Sequence, residues 1–343
     1  MAQIKRIQHD SPDASFQDKA MAAIERAREA SHEGPEAALA AAEEAIRAAE
    51  RASASQLEQA VSAGLRAEAW AQYANALRVS EAYDAAEKAW RAAERAFRTS
   101  LQDASLKATM LTMKALLRSA QQEFDRSLLL LRRARTIYRK VGSARGLARV
   151  ELSTAWTYSY NSKPQRALKH AVKALELVDP YAAPENALGA MHLVTLCLID
   201  AGETRYAHHY LSLYERAYAL AGGMIEVRSW WLKARLGMAS KQWSSSAKVL
   251  EALRREFLER NLPYDAALAT VDLCVCYAEE GRSSAVWSLA QEMYPIFISM
   301  KVPAAASAAL LLFIDAARAT RPRLGELLEL AQKLEPIRRR DGR

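Results

Sequence analysis

Cysteine is nearly absent. The 343-residue chain carries three, Cys197, Cys274 and Cys276, all in apolar surroundings, and so small and odd a number excludes a disulfide framework and predicts reduced, buried thiols. Glycine and proline are also scarce, at 12 and 10, which argues against long disordered stretches. No apolar run approaches the roughly 18 residues a membrane span needs, and the N-terminal stretch MAQIKRIQHDSPD is too polar for the core of a secretory signal. A cytoplasmic protein with no membrane partner is the expectation. Catalytic signatures are missing as well: there is no P-loop, no strand-borne glycine fingerprint, no H-E-x-x-H and no G-x-S-x-G. His208 and His209 beside Cys197 do not make a metal site, because adjacent histidines leave a helix on different sides and no further ligand pair completes the set. Cys274 and Cys276 stand two apart, a spacing at which helical side chains do not face each other. The chain therefore reads as non-enzymatic, with no cofactor and no metal.

What is present is apolar, helical and periodic. Hydrophobic residues make up 51% of the chain, enough for a large core. Segments open at Pro184, Met224, Pro263 and Pro303, spaced 40, 39 and 40 residues, and proline suits a first helical turn because its missing N–H would be unpaired there in any case. A small residue recurs on the same clock at Ala74, Ala115, Ala155, Thr195, Ala234 and Cys274. Twelve residues further on comes Ala86, Ser127, Ala167, Ala207, Ser246 and Val286, and four later Trp90, Leu131, Ala171, Leu211, Leu250 and Ala290. Ala93, Ala134, Ala174, Tyr214, Leu253 and Met293 close the set. The last three series share one face of a second amphipathic helix. Polar or glycine-bearing joints such as Asp200 to Glu203 and Glu279 to Arg282 separate the two helices of a unit, so each unit is a helical hairpin.

Trp70, Tyr73, Ala74, Leu77, Ala86, Trp90 and Ala93 resemble the tetratricopeptide pattern W-x2-L-G-x2-Y followed by A-x3-F-x2-A. The unit from Ala155 to Pro180 is similar, with Tyr158, Ala167 and Ala174 in matching places. The family repeat is usually about 34 residues and this one runs near 40, with helices about a turn longer. The resemblance implies an all-α, right-handed superhelical solenoid of about eight antiparallel hairpins. Residues 14–336 form the expected single repeat domain, after an N-terminal tail at 1–13 and before a basic C-terminal tail at 337–343. Residues 14–53 read as a first hairpin broken near His32 to Pro35, and 303–336 as the last.

Hairpins of this class are expected to line a concave groove with their first helices. Carried onto this sequence, the family geometry places Asn75, Arg78, Trp156, Tyr160, His192, Asp200, Trp231 and Arg235 in that groove, with Arg149 and Arg228 at its entrance. Trp230 is assigned to the core. Aromatic and arginine side chains are the types that dominate binding hot spots. Asn75 matches one position of the Lys and Asn clamp that some of these repeats use for a C-terminal carboxylate, but Ala71 stands where its lysine would be.

Charge supplies a second candidate surface. Residues 1–100 hold 13 Lys and Arg against 16 Asp and Glu, so of the formal +8 the remainder of the chain carries +11. Arg118 to Val150 contains nine basic and two acidic residues, a net of +7, with Arg126, Arg132, Arg133, Arg135, Arg139 and Lys140 flanking the core stripe Leu131, Ala134 and Tyr138. Such a field attracts acidic partners. The expected function is a non-enzymatic scaffold or regulatory subunit that holds a protein or peptide segment, an acidic one being favoured by charge. The alternatives are a peptide- or small-ligand-responsive sensor signalling through another chain, and a nucleic-acid-associated protein using the 118–149 surface.

Overall fold

The computed structural model describes residues 15–30, 34–54, 58–80, 82–181, 184–260 and 262–299. Fourteen α-helices and no strands occur among the described residues: α1 (Phe16–Ala30), α2 (Pro35–Ser53), α3 (Gln59–Val79), α4 (Tyr83–Arg98), α5 (Ala104–Ala120), α6 (Phe124–Lys140), α7 (Ala144–Tyr160), α8 (Pro164–Leu177), α9 (Pro184–Asp200), α10 (Thr204–Ala221), α11 (Gly223–Ala239), α12 (Trp243–Glu259), α13 (Pro263–Glu279) and α14 (Ser283–Ser299). They pair into seven hairpins, an all-α repeat solenoid. The predicted tails and the predicted last hairpin at 303–336 lie outside the described residues.

The repeat positions are where the hairpins close. Ala74, Ala115, Ala155, Thr195, Ala234 and Cys274 are all buried, so the first helices meet neighbours through small side chains. On the second helices the positions from Ala86 to Val286 and from Trp90 to Ala290 are buried throughout, and so are Ala93, Ala134, Ala174 and Leu253. Tyr214 is half-buried, and the side chain of Met293 lies outside the described residues. The first hairpin is built on alanine: Ala38, Ala42, Ala45, Ala49 and Ala52 form one fully buried stripe along α2, recurring at the three- and four-residue spacing of a helix face.

Helix ends follow local chemistry. Asp103 caps α5 by accepting the Leu106 N–H at 2.7 Å, which satisfies one of the unpaired donors of the first turn. Proline opens α2, α8, α9 and α13. Several first helices stop with a left-handed residue and a bond closing back over the last turn: Glu203 N–H donates to Leu198 O at 2.8 Å beyond Gly202, and Arg282 N–H to Tyr277 O at 2.8 Å beyond Gly281. The same closure occurs with non-glycine residues at positive φ, at Gln122, Ser162 and Lys241. This is the Schellman stop, and it reverses the chain into each second helix.

The helices group into two compact units whose boundary falls between Ser153 and Thr154, inside α7. In the first unit α1, α3 and α5 pack as consecutive neighbours, and in the second α9, α11 and α13 do the same. This row of first helices carries the site described next. Beneath it in the second unit, Leu250, Leu253 and Phe257 of α12 pack with Leu273 and Cys274 of α13. The three predicted thiols are buried there and in α9, and burial pushes each up to about 12, leaving them protonated and unreactive.

Candidate functional site

Three aromatic rings from two successive first helices meet in the second unit. Trp156 stacks on Tyr160, four residues on along α7, with centroids 5.4 Å apart and planes 28° from parallel. Across the helix contact, His192 of α9 lies 6.1 Å from the Trp156 centroid at 31°. Both Trp156 and Tyr160 keep part of their surface exposed. Among the described residues the Trp156 indole N–H meets no hydrogen-bond acceptor, so it remains available to solvent or a partner.

Cations border this platform. Burial, and after it the charges of Arg228 and Arg235, lower the His192 pKa to about 3. Loss of hydration disfavours the imidazolium and two nearby guanidinium groups repel it. His192 is therefore a neutral ring at physiological pH, with one nitrogen donating and the other accepting. Arg228 is exposed and has no carboxylate partner among the described residues. Arg235 is tied back, its Nη2 donating to Asp200 Oδ1 at 3.2 Å.

Trp231 is held differently. Its Nε1–H donates to Asp272 Oδ2 of α13 at 2.7 Å, and its ring meets Phe257 of α12 edge-on at 6.4 Å. Both it and Trp230 pack half-buried against the core of the second unit, so the predicted division between a core Trp230 and a free Trp231 is softer than their adjacency suggested. Asp200 to Arg235 and Trp231 to Asp272 form two polar rungs, α9 to α11 and α11 to α13. Asp272 escaped the sequence reading because it lies two residues before Cys274, an offset outside those the family geometry supplies.

The candidates upstream sit in the first unit. Arg78 Nε donates to Asn75 Oδ1 at 3.0 Å, and the pair borders a small depression lined also by Ala74, Trp90, Met113 and Leu117. Arg149 is half-buried on α7, and its guanidinium pKa is lowered first by desolvation and then by the charge of Arg28. Of the basic surface, Arg126, Arg132, Arg133, Arg139 and Lys140 are exposed along α6, Arg126 reaching Glu123 at 2.9 Å. Arg135 departs from the predicted surface set: it turns to Glu151 of α7, a carboxylate 1% exposed, with Nε to Oε1 at 2.9 Å and Nη2 to Oε2 at 3.0 Å. The charge of the guanidinium explains the choice, since it compensates a carboxylate withdrawn from water. Among the described residues no group of three or more His, Cys, Asp or Glu side chains could hold a metal, and no helix is long and apolar enough to cross a membrane.

Neither a family model nor a curated protein matches the sequence. Solved structures do match its fold. A Rap protein complexed with competence and sporulation factor superposes with a TM-score of 0.68 at 12% identity, over 93% of this chain and 88% of that one. A signal-transduction ATPase with numerous domains, a protein with a tetratricopeptide repeat sensor from Pyrococcus horikoshii, superposes with a TM-score of 0.54 at 16% identity over 97% of this chain. The present chain spans about half, 54%, of that protein. At these identities the likeness is one of fold, and that fold is the tetratricopeptide-like helical repeat.

Proposed function

We propose that this protein is a non-enzymatic regulatory scaffold that holds a segment of another protein or peptide against its first helices, with Trp156, Tyr160, His192 and Arg228 as the contact surface in the second unit. The observation that carries this reading is the platform itself: a stacked, half-exposed Trp156 and Tyr160 beside a neutral histidine, with an indole donor and an exposed arginine that no described residue engages. Large rigid rings cost little entropy to order, and a guanidinium offers forked donors, so such a set favours a segment with an acidic or carbonyl-rich face. The Rap protein of the same fold, solved in complex with a factor, supports the idea that such a stack serves recognition. Trp231 and Arg235, engaged by Asp272 and Asp200, hold the surface in shape and form its margin.

The test is an affinity capture from the source cell, with the bound chains identified for the wild type, Trp156→Ala and Arg228→Ala. Loss of a hot-spot side chain costs about 2 kcal/mol or more, about thirtyfold in affinity. A chain that binds the wild type and is lost from both variants, while their helical circular dichroism is unchanged, is the expected outcome. Full retention by both variants would refute the assigned surface.

A further inference from the structure

One second helix carries apolar side chains where its counterparts carry small or charged ones. Along α10, Ala207, Leu211 and Tyr218 are buried in the second unit, while Tyr206, Leu213 and Leu220 stand 61%, 59% and 78% exposed on another side. They are seven residues apart, so they line up along the helix at intervals of about 10.5 Å. Tyr210 lies beside the stripe, half-buried and tilted onto Tyr214 with ring centroids 5.9 Å apart. The same positions of the repeat read Arg126, Arg133 and Lys140 on α6 and Ser245, Ala252 and Glu259 on α12, all of them exposed. A hairpin of this kind closes without large apolar side chains there. Packing within the chain therefore does not account for the α10 stripe, and an exposed apolar patch of this sort marks a contact with something else.

Seven-residue spacing is what a partner helix packed alongside requires. The stripe is also symmetric about Leu213, seven residues back to Tyr206 and seven on to Leu220, so it is complementary to itself. We propose that α10 pairs with α10 of a second copy of this chain, antiparallel about a two-fold axis at Leu213, with Tyr206 packing on the partner's Leu220 and Leu213 on the partner's Leu213. Closed two-fold symmetry demands a patch that fits its own copy. Charge fixes the direction. Arg205 and Arg216 are exposed and have no carboxylate partner among the described residues, and Glu215, the one acidic residue of α10, is already taken by Lys233 of α11. A parallel pair would set each arginine against its own copy, a repulsive arrangement. Antiparallel pairing moves Arg216 to the level of the partner's Tyr210 and Arg205 to the level of the partner's Ala221, beside the last carbonyls of the helix, which favour a cation. With its 18 residues α10 is about 27 Å long, so a strip about 15 Å wide buries about 400 Å² per copy, or about 800 Å² in all, against roughly 1,200 Å² or more for lasting complexes. The dimer is therefore reversible. Its residues are separate from the aromatic platform, which lies on first helices.

Sedimentation velocity of the full chain from about 2 to about 200 μM reads the equilibrium between monomer and dimer, and a contact of this size should populate the dimer in the upper part of that range. Leu213→Glu sets two like charges at the axis and should weaken association by about tenfold or more, with helical circular dichroism and melting unchanged because the site is exposed. Ala252→Glu, at the same register of α12, should associate as the wild type does. Cysteine substitution reads the direction. The native thiols are buried, so a Leu213→Cys chain oxidised with copper phenanthroline should link to its own copy. Tyr206→Cys and Leu220→Cys, each about 21 Å from its own copy in an antiparallel pair, should link only when the two variants are mixed. A wild type that stays monomeric to the top of the range would give the stripe to a different chain and overturn the proposal, as would full association of Leu213→Glu. Self-linking by Tyr206→Cys alone and by Leu220→Cys alone would overturn the antiparallel arrangement.

Discussion

Replacing Trp231 by Phe removes one hydrogen bond and little else, which makes it a sharp probe of the rung between α11 and α13. The indole N–H gives Asp272 Oδ2 a 2.7 Å bond, while an aromatic ring beside Phe257 survives the substitution. A hydrogen bond to a charged group contributes about 1.5–3 kcal/mol, and the half-buried setting of both partners places this one at the lower end, about 1.5 kcal/mol. Trp156→Phe is the internal comparison. It deletes an N–H that has no acceptor among the described residues, so its cost should stay below about 0.5 kcal/mol, the range of a substitution that breaks no specific interaction. Stacked repeats unfold through nearest-neighbour interfaces, so the loss should appear first in the amide exchange of α11 and α13 and then in the urea midpoint read by circular dichroism. Asp272→Asn in the Trp231→Phe background completes a double-mutant cycle, in which coupling near 1 kcal/mol is expected for side chains in direct contact. Equal destabilisation by Trp231→Phe and Trp156→Phe, or zero coupling, would refute the assignment of Trp231 as the tied ring and Trp156 as the free one.

Glu151→Ala should destabilise by about 3 kcal/mol, because it removes the buried carboxylate that pairs with the Arg135 guanidinium, whereas Arg135→Met with Glu151→Leu should recover most of the loss; both are read as urea midpoints. Gln122→Gly and Lys241→Gly should each stabilise by up to about 1 kcal/mol, since both residues sit at positive φ where glycine escapes the Cβ penalty, and melting curves will show the sign. His192 titrates near 3 when folded and near 6.5 when unfolded, so the unfolded chain binds more protons between those values and stability falls as pH drops from about 6.5 towards 3; His192→Gln should flatten that slope in the acid limb of a melting-temperature profile. Changing Arg126, Arg132, Arg133 and Arg139 together to Gln should leave melting nearly unchanged, as exposed charges contribute little to stability, while weakening capture of any acidic partner at low salt; unchanged capture would mark the α6 face as solvated only.

Reading the chain by period succeeded where local rules suffice. A buried small residue every 40 or so positions, a three-and-four stripe on each second helix and a glycine such as Gly202 or Gly281 at a helix stop are all statements about neighbours in sequence, and each describes the folded hairpins. Proline openings at Pro184 and Pro263 fall at the first residues of α9 and α13 for the same reason. The aromatic platform was also legible, since Trp156, Tyr160 and His192 occupy related offsets on consecutive first helices. What one sequence does not encode locally is which polar side chain answers which. Arg135 sits among arginines that face solvent yet turns inward, because Glu151 is buried on the next helix and needs a counter-charge. Trp231 is spoken for by an aspartate 41 residues away, and Arg149 takes its character from Arg28 on α1, more than 100 positions earlier. Helical periodicity, set by backbone geometry and the burial of apolar area, therefore determined the architecture from sequence alone. The pairing of charges depended on distances between helices one to six elements apart, which only the packed structure decides.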